Sequence, residues 1–137
     1  MNALLALVAM LQATPTPPAA PAAPANPTVR TVDWERLAPL PWRETPQVTP
    51  DLSRFVIDEV RARRCAAPRR ADRRAVIEVD IAVLLRADGL VRVTVPRAID
   101  CPGVEQFAAG LVSSFARNNL RTTPEGWYRA NLSFRLR

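Results

Sequence analysis

Two runs of strict alternation flank the tripeptide Ala87-Asp88-Gly89, and they constrain this chain more than any other feature. In "AVIEVDIAVLLR" the apolar residues Ile77, Val79, Ile81, Val83 and Leu85 alternate with Glu78, Asp80, Ala82 and Arg86. In "LVRVTV" the residues Val91, Val93 and Val95 alternate with Arg92 and Thr94. A period of two sends successive side chains to opposite faces of a strand, which a helix cannot do. Asp88-Gly89 supplies the positive-φ positions of a tight turn, so the two runs are expected to form a β-hairpin. One face of that hairpin is apolar and has to be covered by other parts of the chain.

The covering elements are legible on either side. "TPDLSRFVIDEVRARRC" opens with Thr49 as N-cap, Pro50 at the first helical position and Asp51 at the positive end of the helix dipole. Leu52, Phe55, Val56 and Val60 recur at helical spacing, and Arg61, Arg63 and Arg64 are expected in the last turn. "PGVEQFAAGLVSSFARNN" reads as a second helix, with Val104, Phe107, Ala108, Leu111 and Phe115 on one face and Asn118 or Asn119 in the left-handed position that ends it. "WYRANLSFRLR" alternates again: Tyr128, Ala130, Leu132, Phe134 and Leu136 face one way, and Trp127, Arg129, Asn131, Ser133 and Arg135 the other. The expected class is α+β: a three-stranded antiparallel sheet with two helices on one face, in the order α-β-β-α-β. Its other face carries Glu78, Asp80, Arg92, Thr94, Arg129, Asn131 and Arg135 and is expected to be wet.

Ahead of this domain the composition changes. Of 14 prolines, most precede Asp51. Residues 1–13 contain an apolar run from Ala3 to Leu11, about 14 Å of helix against ~30 Å of bilayer hydrocarbon. The run is too short to span and matches the apolar stretch of a secretory signal peptide, with Ala13 as the cleavage residue. Residues 14–50 read as a Pro/Ala-rich spacer, because Pro spaced with Ala builds no core and extends as polyproline II. Within it, Trp34 and Trp42 either fold back onto the domain or form a short recognition segment. Residues 51–137 are the foldable remainder.

The net charge is +6, and all 19 basic residues are Arg. Seven of them, Arg61, Arg63, Arg64, Arg69, Arg70, Arg73 and Arg74, crowd into "RARRCAAPRRADRR". A tract that binds nucleic acid usually adds an aromatic stacking platform or a helix able to enter a groove. This one has no aromatic residue, and Pro68 interrupts any helix, so nucleic acid is disfavoured. A positive balance still favours anionic partners in general. The sequence has no His, which removes His-based metal sites and Ser-His triads. No nucleophile–base pair and no Gly-rich phosphate loop accompanies Glu78, Asp80 or Glu105, so neither an enzyme nor a cofactor is expected. Cys65 ends the first helix and Cys101 opens the second. They form a disulfide if those two helix ends meet, or remain two free thiols if they do not. The disulfide is the expected state.

Signal-like start, Pro/Ala spacer and a small domain closing in hairpin, helix and final strand together resemble the C-terminal domains of the TonB/TolA energy-transducer family. The resemblance covers 51–137 and rests on "VDIAVLLRADGLVRVTV", on "VEQFAAGLVSSFA" before Pro124-Glu125-Gly126, and on "YRANLSFRL". The leading helix with a Cys on either side of the hairpin is more similar to TolA. Those transducers carry a membrane-spanning anchor, often with a His used for proton coupling, and this sequence shows neither. The resemblance therefore implies a periplasmic binding module. It implies an envelope protein or peptide added as a strand to the sheet edge at Arg129, Asn131, Ser133 and Arg135. The alternative is a basic, charge-driven binder of anionic envelope components or nucleic acid.

Overall fold

The computed structural model describes residues 32–65 and 75–136. The expected signal segment 1–13 and most of the spacer lie outside the described residues. The elements are a single 3-10 turn at Trp34–Arg36, β1 (Ala38–Pro39), α1 (Pro50–Arg61), β2 (Val76–Leu85), β3 (Val91–Pro96), α2 (Pro102–Phe115) and β4 (Gly126–Arg135). The class is α+β, as the alternation and the two amphipathic segments require. The sheet, however, has four strands in the order β1-β4-β2-β3 and is mixed, where three antiparallel strands were expected.

β2 is the central strand. It pairs antiparallel with β4 along its whole length, from Val76↔Arg135 to Leu85↔Gly126, and with β3 from Ile81↔Pro96 to Leu85↔Val91. The odd residues of β2 and the even residues of β4 fall on one face. Ile77, Val79, Ile81, Val83, Leu85, Ala130, Leu132 and Phe134 are all buried there. α1 contributes Val56 to this core, and α2 contributes Val104, Ala108, Ala109 and Val112. Three rings tie the helices to the sheet: Phe55 lies 4.6 Å from Phe107, and Phe107 lies 6.0 Å from Phe134 between centroids.

The fourth strand arises in the segment expected to be spacer. Ala38 and Pro39 pair parallel with Tyr128 and Arg129, and the Leu40 N–H donates to the Arg129 C=O at 2.7 Å. A proline suits such an edge strand, since it has no N–H to leave unpaired. Leu40 is buried and anchors the strand in the core. Both tryptophans fold back onto the domain. Trp42 bridges to Leu120, and the next residue, Arg43, donates its N–H to the Asn119 C=O. The folded unit therefore takes in the described residues ahead of Asp51 as well.

Two local details differ from the alternation. The turn holds a positive φ at Gly89 alone, not at Asp88, because the hairpin loop is three residues long. Gly89 N–H closes onto the Arg86 C=O, and Arg86 N–H meets the Leu90 C=O. Next to it, the register steps at Leu84/Leu85, so Arg92 is an extra residue in β3. Such a bulge reverses every side chain beyond it. Val91 keeps company with the core, while Val93 and Val95 pair with Leu84 and Ala82 on the outer face, and Thr94 moves to the inner one.

α1 also stops sooner than expected. Thr49 caps its start by accepting from the Leu52 N–H, but the helix ends at Arg61, and Arg63 adopts a left-handed φ of 56°. Arg63 N–H bonds the Val60 C=O, and Arg64 N–H bonds the Glu59 C=O. This is a Schellman ending with Arg where Gly is usual. It turns the chain so that Cys65 meets Cys101 in a disulfide, with Cα atoms 4.8 Å apart. The bond closes a 36-residue separation between the end of α1 and the start of α2. Loops of that size contribute on the order of 2–4 kcal/mol. Replacing both cysteines by serine should lower the melting temperature by roughly 10–20 °C for a domain of this size. Calorimetry with and without reductant checks this, and an unchanged transition would remove the disulfide from the stability account.

Candidate interaction surfaces

Around the disulfide, the chemistry is structural. The Glu59 side chain is nearly buried, and its Oε1 accepts from Arg64 Nε at 2.9 Å and Nη2 at 2.7 Å. Its other oxygen lies against α2 at Gly103, where an added Cβ would come within 2.8 Å. Glycine at this position lets the carboxylate approach the positive end of α2. Glu105, one turn into α2, reaches back to accept from the Ile99 and Cys101 N–H groups at 2.9 and 3.1 Å. These bonds satisfy backbone donors at the start of α2 and occupy one of the carboxylates weighed for catalysis. Cys65 and Cys101 are both buried beside these groups.

The basic tract is divided by this arrangement. Arg64 is bound to Glu59, and Arg61 lies 3.9 Å from Asp58. Arg63 occupies the left-handed turn. Arg69, Arg70, Arg73 and Arg74 lie outside the described residues. Among the described residues, no group of His, Cys, Asp and Glu is placed to hold a metal ion, and no helix is long and apolar enough to cross a membrane.

The final strand is the more informative surface. The residues Arg129, Asn131, Ser133 and Arg135 all face the outer side, as their spacing predicts. Backbone direction follows the same alternation. The even residues of β4 turn their N–H and C=O groups toward β2, and the odd ones turn them away, as the Leu40–Arg129 bond confirms. β1 occupies this outer edge only at Tyr128 and Arg129. Beyond it, the N–H and C=O groups of Asn131, Ser133 and Arg135 have no strand beside them among the described residues. The free stretch spans about 17 Å at the usual rise per residue. It is regular, with no bulge and no proline.

The opposite edge is unlike it. β3 carries the Arg92 bulge and ends in Pro96, both of which discourage pairing. Of the expected partner-binding side chains, Arg129 is already engaged: its Nη1 donates to the Trp34 C=O at 3.4 Å. Asn131 donates to Asp80 at 2.9 Å, and Ser133 donates to Asn131 at 3.5 Å. Arg135 forms no ion pair among the described residues.

The outer face is drier than expected at its centre. Arg97 lies 5.5 Å from the Trp34 ring, so the 3-10 turn is held from both sides, by Arg97 and by Arg129. Ala82, paired with Val95 and Arg129, is fully buried although it belongs to this face. Next to it runs a partly exposed apolar row, Val93–Leu84–Trp127. Nothing in the sequence around Trp34 signals that it crosses the sheet; only the pairing of Ala38 and Pro39 places it there.

No protein-family model, curated protein or solved structure matches this chain.

The hydrogen bond from Arg64 holds the Glu59 carboxyl below its ordinary value of 4.5, against the opposing effect of burial. Because the folded value is the lower one, the stabilisation is complete above about 4.5 and is lost as pH falls through the folded value. Glu59→Gln should therefore destabilise the protein at neutral pH. The gap between variant and wild type should close in acid unfolding as pH falls below 4.5. A gap independent of pH would assign the loss to packing at Gly103 instead.

Proposed function

We propose that this chain is an exported protein-interaction module of the TonB/TolA C-terminal type, taking an extended segment of an envelope protein onto the free half of β4. The observation that carries this reading is the regular edge from Asn131 to Arg135. In strand addition, main-chain hydrogen bonds supply affinity, and alternate side chains supply selectivity. An incoming strand would meet the backbone groups of Asn131, Ser133 and Arg135, with β1 setting where it must begin. Arg135 favours an acidic residue near its far end.

The order of elements supports the family likeness, and the disulfide fits a compartment where thiols oxidise. The short apolar run before a Pro/Ala-rich stretch fits the same location, the periplasm. The module reading also agrees with a chemistry in which the carboxylates of the domain serve as helix cap and ion-pair partners.

Ser133→Pro tests the edge directly. The Ser133 N–H points away from β2, so proline there removes a donor that the sheet itself does not use. Leu132→Pro removes one that bonds to β2 and serves as the destabilising contrast. Partners captured from a periplasmic extract by the oxidised wild-type protein should be lost with Ser133→Pro, while its circular dichroism and melting curve stay close to wild type. Retained capture by a folded Ser133→Pro protein would exclude pairing through β4. A steep fall of capture with salt, unaffected by this substitution, would favour the charge-driven alternative.

A further inference from the structure

A groove of about 570 Å³ lies on the β3 side of the domain, away from the free half of β4. One wall is the β2–β3 turn and β3 as far as Thr94; the other is the C-terminal end of α2 and the loop that follows it. Its size falls in the range of ligand-binding clefts. Small residues keep the helical wall low, with Ser113 and Ala116 facing the cleft.

Four arginines rim it: Arg43, Arg92, Arg117 and Arg121. They come from three separate segments, with Arg117 and Arg121 together just after α2, so no run of basic sequence announces them. All four side chains are exposed, and none forms an ion pair among the described residues. Arg43 is the oriented one, since its Nε donates to the Leu120 C=O at 2.9 Å and leaves its outer nitrogens uncommitted. The only carboxylate in the lining is Asp88, which is taken by Arg86 at 3.0 Å and by the Leu90 N–H. Guanidinium groups lining one groove without ion-pair partners are complementary to carboxylates, which they can grip two bonds at a time.

Between the arginines the lining is mixed, with Leu90 and Leu120 beside Thr94, Ser113 and Asn118. Leu90 is 58% exposed. Alternation in β3 also turns the Thr94 N–H and C=O away from β2, toward the open side. That mixture points to one occupant. A peptide offers both donors and acceptors to Thr94, apolar side chains to Leu90 and Leu120, and carboxylates to the rim. A phosphodiester chain offers acceptors only, and the lining holds no aromatic ring on which a base would stack.

We infer that this groove binds an acidic, partly apolar extended segment of a partner protein, selected by Arg43, Arg92, Arg117 and Arg121. The site is separate from the β4 edge and does not depend on the strand-addition reading.

The test uses the oxidised full chain and a short fluorescein-labelled peptide alternating Glu and Val, followed by anisotropy. Arg117→Glu combined with Arg121→Glu should weaken binding at least about tenfold, equivalent to ~1.4 kcal/mol. Arg54→Glu on α1, remote from the groove, should leave it nearly unchanged, and so should Ser133→Pro. Arg92→Glu, on the opposite wall, gives the same reading should the double variant lose its fold. Undiminished binding in the groove variants overturns the site. An equal loss with Arg54→Glu overturns it too, by showing attraction to net charge alone. Displacement by inorganic phosphate, or tighter binding of a single-stranded oligonucleotide or of phosphatidylglycerol vesicles through the same arginines, overturns the peptide as occupant.

Discussion

The ladder between β2 and β4 is the interaction on which the rest of this molecule depends. It joins strands far apart in sequence, residue for residue from Val76↔Arg135 to Leu85↔Gly126. Once that register is set, every side chain on both strands has a face, and a slip of one residue would exchange core for solvent. Phe134, Leu132 and Ala130 then lie in line with Ile77, Val79 and Ile81, and the two helices have a single apolar surface to cover. The same register decides which backbone groups of β4 are spent on β2 and which are left over.

A core this small needs help where the helices meet. The disulfide, the Glu59–Arg64 pair and the glycine at position 103 sit together at the junction of α1 and α2. The left-handed Arg63 makes the junction possible, since it reverses the chain between Glu59 and Cys65. A non-glycine residue there costs roughly 1–3 kcal/mol. The disulfide and a charge-assisted hydrogen bond offset a cost of that size. Strain and staple belong to one device, because removing the turn would separate the cysteines.

The sequence made much of this legible and left the rest silent for physical reasons. Period two and period 3.6 are local signals, so β2, β4, α1 and α2 could be read directly, down to Thr49 as a cap; of Asn118 and Asn119, the first takes the left-handed position. The bulge at Arg92 could not, because "LVRVTV" alternates without a break and only the partner strand reveals the extra residue. β1 was hidden by Pro39 and its neighbour Pro41, which exclude a helix but are equally compatible with a spacer and with an edge strand. Of the expected edge residues, Asn131, Ser133 and Arg135 are where the alternation puts them. Arg129 carries the same pattern but is covered, since whether an edge is free depends on what the rest of the chain lays against it. The groove arginines were the least legible, because three segments had to fold before they became neighbours.

The two edges of this sheet are protected to different degrees, and the difference bears on function. An exposed regular strand invites pairing with other chains, and proteins normally blunt it with bulges, prolines or charge. β3 has all three, in Arg92, its displaced register and Pro96. β4 has β1 over its first part, where Leu40 locks the cover in place, and then a bare, unbulged stretch ending in Arg135. Covering half of an edge does not prevent pairing along the remainder. It fixes where pairing can begin and so gives the remaining stretch a defined register. An edge left open for no purpose would gain nothing from a register. One that receives a particular strand would, and the Ala38–Pro39 segment supplies it at the cost of two residues of pairing.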